Sequence, residues 1–206
     1  MVNMKKFLYV AIPAIFFLTS TPLAFGQSFD GYFSAGEQLM TNAQLGSLSG
    51  FPGQDTAQFT DGFRFGFRMG IAWRDWFAHE VGYAYNRTHL HDISTTPVTD
   101  LGGMAAHQGF YDFLVYGTKN GHRIRPFVAG GVQFTNFVPP GSSASYGQGD
   151  NKFGLNYGVG VKAKISSMFG VRVDFRQYWM GKPFGLPGAS GHLYLNEISA
   201  GFGVML

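Results

Sequence analysis

A strict alternation of large apolar residues with small or charged ones is the feature that most limits the fold of this chain. In residues 62–73 (GFRFGFRMGIAW) the odd positions carry only large apolar side chains, and the even positions carry glycine, alanine or arginine. Only a β-strand places two such sets on opposite faces, because successive side chains of a strand point in opposite directions. The segment is therefore predicted to be a strand with one apolar face and one small or charged face.

The same alternation recurs along the chain after residue 27. It predicts eight strands, at residues 28–39, 62–73, 76–87, 106–117, 124–136, 152–165, 169–178 and 192–206. Short connections alternate with long ones that are rich in Gly, Ser, Pro and Thr, and the long ones cover roughly residues 40–61, 88–105, 137–151 and 179–191. This order predicts an all-β chain folded as an antiparallel up-and-down meander.

The first 26 residues have the pattern of a secretory signal peptide. Two lysines precede an apolar run at residues 7–18, and a small-residue site, Ala24-Phe25-Gly26, follows it. The run of 12 residues is too short for a stable helix across a bilayer. We predict cleavage before Gln27 and a single β-barrel domain over residues 27–206, with an uncleaved anchor helix as the alternative.

Charge and cysteine content exclude several classes of function. The net charge of +3 falls to +1 in the mature chain, because Lys5 and Lys6 belong to the signal segment and leave 13 basic against 12 acidic residues. Such a balance gives no support for nucleic-acid binding. The absence of cysteine excludes a disulfide scaffold, a cysteine-based zinc site and a thiol nucleophile.

The size of the lumen decides which face meets solvent. Eight strands enclose a space just wide enough to be filled by side chains, and about forty large apolar side chains would not fit inside it. The apolar face is therefore predicted to point outward into lipid, in a closed transmembrane β-barrel. A 12-residue strand is about 40 Å long and spans about 30 Å when tilted. Trp73, Trp76 and Phe77 flank the first short turn and are predicted to be interfacial aromatics.

The charged residues follow the same division of faces. Within the predicted strands, only Glu37 and Arg87 fall on the apolar face, and both lie near a strand end. The opposite face is predicted to hold a lumen charge network of ten residues: Arg64, Arg68, Glu80, Asp112, Arg125, Lys162, Arg172, Asp174, Arg176 and Glu197. We expect ion pairs that plug the lumen and fix the strand register, with an ion-conducting gate as the alternative. If Trp73 pairs with Phe77, Glu80 lies diagonal to Arg68 and within its reach.

Three features of the sequence resemble sites for other chemistry. His89-Leu90-His91-Asp92 has metal-ligand spacing, but without a firm third partner no metal site is predicted. Gly158–Ala163 partly matches a dinucleotide fingerprint, yet the alternation explains its glycines, and no cofactor is predicted. His79 and His107 point outward by parity, but neither has a serine two residues away, so no catalytic residue is predicted.

The chain resembles the small eight-stranded outer-membrane β-barrels of Gram-negative bacteria, the OmpA/OmpX/opacity-like group. The similar passages are residues 125–132 (RPFVAGGV), 157–162 (YGVGVK) and 171–176 (VRVDFR). The resemblance implies an outer-membrane location, short periplasmic turns and longer extracellular loops. It also implies contact with outer-membrane lipid and lipopolysaccharide, and with the barrel-assembly machinery and periplasmic chaperones. Such barrels usually end in an aromatic residue, whereas this one ends in Leu206, and we expect no periplasmic domain to follow.

The functional expectation is a non-catalytic envelope protein with a filled polar lumen. Its role would be envelope integrity or surface interaction through the extracellular loops, and a surface ligand, where one exists, would bind these loops. Two alternatives come from other classes. One is a lipid-modifying outer-membrane barrel enzyme of the deacylase or acyltransferase type, and the other is a narrow ion channel of low conductance.

Overall fold

The computed structural model describes residues 28–142 and 149–206. The predicted signal segment at residues 1–26 lies outside them. The described residues form ten strands: β1 (Ser28–Thr41), β2 (Gln44–Gly46), β3 (Ala57–Phe59), β4 (Gly62–Trp73), β5 (Phe77–Asp92), β6 (Thr99–Tyr116), β7 (Ile124–Val138), β8 (Asp150–Lys164), β9 (Phe169–Gly181) and β10 (His192–Met205). In this part of the chain no helix is long and apolar enough to cross a membrane.

Eight of the strands form a closed antiparallel barrel. The order of hydrogen-bonded neighbours is β5-β4-β1-β10-β9-β8-β7-β6, and β6 pairs again with β5. The pairing of Glu80 with Asp112 lies within this last contact. Since every long strand has two neighbours, the barrel has no open edge. The predicted fold class, an all-β eight-stranded up-and-down barrel, is confirmed.

Two regions predicted as loops contain additional strand. The prediction ended one strand at residue 87 and began the next at residue 106, whereas β5 and β6 remain paired as far as Asp92 and Thr99, with a bulge at Leu90/His91. The first long connection contains β2 and β3, and β3 pairs with the end of β5. These segments are very short or carry no large apolar residues on their outward face, so they lack the apolar alternation that identified the other strands.

The exposed fractions of the side chains confirm the predicted orientation of the two faces. On β4 the outward residues Phe63 and Phe65 are 54% and 50% exposed, whereas the inward Arg64 and Arg68 are 2% and 1% exposed. Phe153 and Val159 on β8 likewise point outward. Exposed phenylalanine with buried arginine reverses the pattern of a soluble protein. The outer surface is therefore an apolar belt suited to lipid.

Apolar clusters lie on both sides of the charged middle of the lumen. Towards the long loops lies a loop-end apolar cluster, which includes Leu45, Phe59, Met104, Phe137, Leu193 and Leu195. Towards the short turns lies a turn-end apolar cluster of Ala72, Ala78, Leu114, Tyr116, Phe127 and Ala129. The lumen therefore contains apolar clusters towards both ends in addition to its polar residues. Leu45 and Phe59 come from β2 and β3, which lie at the barrel mouth. The sequence did not reveal these two strands.

Glycine makes room for the large charged side chains inside the barrel. Gly158 on β8 faces Arg176 on β9 in the strand register. A Cβ atom at residue 158 would lie 2.6 Å from Cδ of Arg176, which is too close for two carbon atoms. The small residue on one strand thus provides the space that the arginine on its neighbour occupies.

We predict that arginine at Phe67 is costly whereas arginine at Phe63 is tolerated. Both side chains point outward from β4, but Phe67 lies near the middle of the belt and Phe63 lies at its edge between Glu37 and Arg87. A lipid-facing arginine costs about 2–4 kcal/mol at the midplane and about 0–1 kcal/mol near the interface. Urea unfolding of Phe67→Arg and Phe63→Arg in lipid vesicles measures the free energy of unfolding of each variant. Equal losses of this free energy in the two variants would contradict the assigned orientation.

Candidate functional site

The candidate site is a network of buried charges in the middle of the lumen. Seven of the eight barrel strands contribute five cations (Arg64, Arg68, Lys162, Arg172 and Arg176) and five carboxylates (Asp30, Glu80, Asp112, Asp174 and Glu197). Ion pairs of at most 4.0 Å connect all ten. The formal charges cancel, as burial of ionised groups requires.

Glu80 on β5 lies at the centre of this network. Its Oε1 accepts from Nη2 of Arg172 at 2.9 Å and from Nη2 of Arg176 at 3.1 Å. Nη1 of Arg68 lies 3.4 Å from the same oxygen, and Nζ of Lys162 lies 4.0 Å from Oε2. Nη1 of Arg172 also donates to Oε2. One carboxylate thus joins cations from three strands, β4, β8 and β9.

Glu197 on β10 forms the second centre. Nη2 of Arg68 binds its two oxygens at 2.7 and 2.8 Å, and Nε of Arg64 lies 3.1 Å from Oε2. The hydroxyl groups of Tyr178 and Ser199 donate to it at 2.7 and 2.5 Å. The carboxylate therefore has partners on both oxygens without access to water.

The other carboxylates of the network pair with Arg172, Arg176 and Lys162. Asp174 accepts from Nε of Arg172 at 2.5 Å, and its Oδ1 lies 3.3 Å from Nε of Arg176. Arg176 also pairs with Asp112. Nζ of Lys162 donates to Asp30 at 2.7 Å and to the hydroxyl of Tyr116 at 2.9 Å. Each network cation thus contacts at least one carboxylate.

Nine of the ten residues predicted for the lumen network are joined in it, and Arg125 is not. Among the described residues, no carboxylate forms a salt bridge with Arg125. Its guanidinium instead donates to the backbone oxygen of Asp75 at 2.9 Å and lies 3.7 Å from the ring centre of Tyr116. Arg125 stands at the start of β7, beside the short turns, so it binds turn residues. Asp30, which was not among the ten predicted residues, is the tenth member of the network through its pair with Lys162.

The local contact predicted between β4 and β5 is present, whereas the contacts across the lumen were missed. Trp73 pairs with Phe77, and Arg68 reaches Glu80 as expected. The pairs Arg172–Glu80 and Lys162–Asp30 join strands that are distant in sequence. Their geometry depends on how far the strands shift around the closed barrel, and no local sequence signal reports this shift.

The predicted interfacial aromatics surround the first short turn. Trp73 and Trp76 are 49% and 40% exposed. Phe77 stacks on Phe113 with ring centres 5.6 Å apart. The rings thus lie at the turn end of the apolar belt, where an aromatic girdle is expected.

The outward histidines bind tyrosines. Nδ1 of His79 lies 2.6 Å from the hydroxyl of Tyr111, and Nδ1 of His107 lies 2.6 Å from that of Tyr83. Within residues 28–142 and 149–206, no hydrogen bond joins a serine to a histidine. The arrangement needed to activate a serine nucleophile is therefore not formed in this part of the chain.

Asp55 organises the first long loop over the barrel mouth. It accepts hydrogen bonds from the backbone of Leu48 at 3.0 Å, from the backbone and hydroxyl of Ser49 at 2.9 Å each, and from the hydroxyl of Ser47. The bond from Ser47, followed by those from Ser49 and Leu48, holds the pKa of Asp55 below its usual value. The hydrogen bonds that order this loop therefore depend on the ionised form of the Asp55 carboxylate.

We predict that neutralising Glu80 destabilises the barrel far more than breaking an exposed ion pair. Removing one partner from a buried pair costs about 3–5 kcal/mol, because the remaining charge stays buried. The control is Lys152→Met, whose pair with Asp150 at 3.1 Å is partly exposed and is worth about 0–1 kcal/mol. Urea unfolding of Glu80→Gln and Lys152→Met in vesicles gives the loss of unfolding free energy for each variant. Equal losses in the two variants would refute the central role of Glu80.

We predict that the first loop loses order only in strong acid. The pKa of Asp55 in the folded protein is lowered. Its contribution to the stability of the loop is therefore complete above the ordinary aspartate pKa of about 3.9, and it disappears as the pH falls through the lowered value. The amide NMR shifts of Leu48 and Ser49 should titrate with a midpoint below about 3.9. Asp55→Asn should abolish this titration and Asp61→Asn should preserve it, and a midpoint above the ordinary value would disprove the assignment.

Comparison with known proteins agrees with this architecture. The sequence profile described as the outer membrane protein beta-barrel domain matches residues 10–205. The outer membrane protein OprG from Pseudomonas aeruginosa is similar in structure, with a TM-score of 0.60, 15% identity, and coverage of 88% of this chain and 96% of the OprG chain. Neisserial surface protein A has a TM-score of 0.56 and 14% identity, with coverage of 87% of this chain and 98% of its own. None of the curated protein sequences matches the chain.

At these identities the two structures support the fold, and the sequence profile supports the family. The profile spans most of the chain, and the apolar belt of the barrel suits a bilayer. The protein is therefore located in the outer membrane, and it belongs to the outer membrane protein beta-barrel domain family.

Proposed function

We propose that the protein is a closed, non-catalytic barrel that contributes to envelope integrity and presents its long loops as an interaction surface. The observation that carries this proposal is the charge-balanced network of ten buried residues across the lumen. A pore needs a continuous path for water, whereas this network occupies the middle of the barrel.

The burial of the network supports a closed lumen. Arg68, Glu80 and Arg176 are each at most 1% exposed, so they are almost completely shielded from water. The loop-end and turn-end apolar clusters lie above and below these charges. An ion would have to cross two apolar layers and break paired charges between them, which is costly in a medium of low dielectric.

The packing of the long loops supports a preformed surface. The backbone of Ser47 donates to the oxygen of Pro187 at 2.9 Å, which joins the first and last long loops. Nζ of Lys182 donates to Asn42 at 3.2 Å. Loops held by a rigid scaffold are common places for binding. In this proposal the long loops face the cell exterior, where lipopolysaccharide and surface ligands are within reach.

The same proposal assigns the assembly partners. A chain with a signal peptide and an outward apolar belt needs chaperones in the periplasm and a barrel-assembly machine at the membrane, because the belt would aggregate in water. The hydrogen bonds of His79 and His107 to tyrosines support a barrel without acyl-transfer chemistry. Release of fatty acid from lipid A or phospholipid by the purified protein would instead support a lipid-modifying enzyme.

We predict that the native protein gives no conductance steps in planar bilayers, and that emptying the network creates them. The double variant Glu80→Ala, Arg172→Ala removes one charge of each sign and much volume from the middle of the lumen. Asp150→Ala, Lys152→Ala is the matched control, since it removes a pair that is partly exposed at the loop end. Conductance steps that occur in the native protein and disappear in the Glu80→Ala, Arg172→Ala variant would show that the network is a gate. This result would overturn the proposal.

The surface role is tested by shortening the loops while the barrel is retained. Deletion of residues 48–54 should lower adhesion of cells to host or abiotic surfaces, whereas shortening of the 117–123 turn should leave adhesion unchanged. Heat-modifiable migration on gels checks that both variants fold. Unchanged adhesion after deletion of each long loop in turn would refute the surface role.

A further inference from the structure

We propose that the β5–β6 hairpin carries a site for a divalent first-row transition metal of the zinc class, formed by His89, His91 and Asp100. The site lies beyond the apolar belt, on the side of the long loops. It is independent of the lumen network and of the role proposed for the barrel.

The strand geometry brings the three side chains to one face. His89 and His91 are two residues apart on β5, so they point in the same direction. Asp100 on β6 pairs directly with His91 in the strand register, and His89 pairs with Gly103. The bulge at Leu90/His91 shifts the register between these two pairs. Cross-strand and next-but-one neighbours are the closest side chains on a sheet face, which gives three potential ligands at one point.

The distances fit a common metal ion. Nδ1 of His89 lies 2.9 Å from Oδ2 of Asp100, and Nε2 of His91 lies 3.8 Å from Oδ1. The three ligand atoms lie within 4.8 Å of one another. Tetrahedral zinc with bonds of about 2.0–2.1 Å separates its ligands by about 3.4 Å. Small side-chain rotations are therefore enough to reach coordination geometry.

The backbone around the site is fixed by hydrogen bonds. The amide of Gly102 donates to Oδ1 of Asp100 at 2.8 Å and orients the carboxylate. The amide of Thr60 donates to the oxygen of His89 at 3.0 Å, and the amide of His89 donates to the hydroxyl of Thr60 at 3.1 Å. A metal ion would therefore meet ligands on ordered strands, so that little ordering entropy opposes binding.

The chemistry of the donors selects the class of metal. Two imidazoles with one carboxylate suit zinc, copper or nickel, whereas calcium and magnesium prefer oxygen donors alone. The side chains of His89 and Asp100 are each 51% exposed and that of His91 is 32% exposed, so the remaining coordination positions are open to water. The ion would join β5 to β6 where the barrel leaves the membrane.

The sequence pattern named two of the ligands but offered no firm third one. Asp92 follows His91 in sequence, but its Oδ1 accepts from the amide of Ser94 at 2.9 Å and from that of Thr56 at 3.2 Å. Asp100 was placed in a loop, so its pairing with His91 could not be expected. The continuation of the hairpin beyond residue 87 creates the site.

Zinc titration by calorimetry tests the proposal. The protein is purified from outer membranes in detergent without a polyhistidine tag, and we expect one zinc ion per chain. His91→Ala and Asp100→Asn should each weaken binding by about tenfold or more, since one of three protein ligands is lost. His122→Ala is the matched control, because this exposed histidine lies in a short turn at the other end of the barrel.

A second readout separates the site from adventitious binding. Zinc should slow hydrogen exchange in residues 88–102 of the native protein but not in His91→Ala, and heat-modifiable migration confirms that each variant is folded. A native protein that binds no zinc would overturn the proposal and leave His89 and Asp100 as a simple hydrogen-bonded pair. Equal weakening by His122→Ala, or unchanged binding in both ligand variants, would overturn it as well.

Discussion

The pairing of β5 with β6 is the constraint on which the rest of the structure depends. It closes the sheet, so that no backbone N–H or C=O along a strand edge faces lipid without a partner. Closure at eight strands also fixes a narrow lumen, which inward side chains must fill. Glycine opposite a large inward residue, as Gly158 faces Arg176, follows from this lack of space.

The narrow lumen also determines what the charges can do. Buried ions must be paired, and the ten network residues cancel their formal charge through contacts among seven strands. Such a network does not necessarily stabilise a barrel more than apolar filling would. Its contacts are specific, however, because Glu80 and Glu197 can bind their arginines only in one strand register. We propose that the network thereby favours this arrangement of the strands over shifted ones.

The sequence predicted the parts of the structure that depend on local periodicity. The alternation in residues 62–73 identified both the strand and its lipid face, and the short turn after Trp73 identified the contact of Arg68 with Glu80. Contacts across the lumen, such as Lys162 with Asp30, could not be predicted, because they depend on the shift of strands around the barrel. The polar hairpin that brings Asp100 to His91 was missed for another reason. Beyond the apolar belt its outward face is polar, so it lacks the outward apolar residues that identified the other strands.

The most direct test of the account is the orientation of the two faces of β4. The chain has no cysteine, so a single cysteine at each of residues 62–73 can carry one nitroxide label in vesicles. The account predicts that collision with oxygen dissolved in the lipid alternates along the strand, with maxima at Phe65, Phe67 and Met69 and minima at Gly66 and Arg68. Maxima at the even positions, or no alternation, would contradict it.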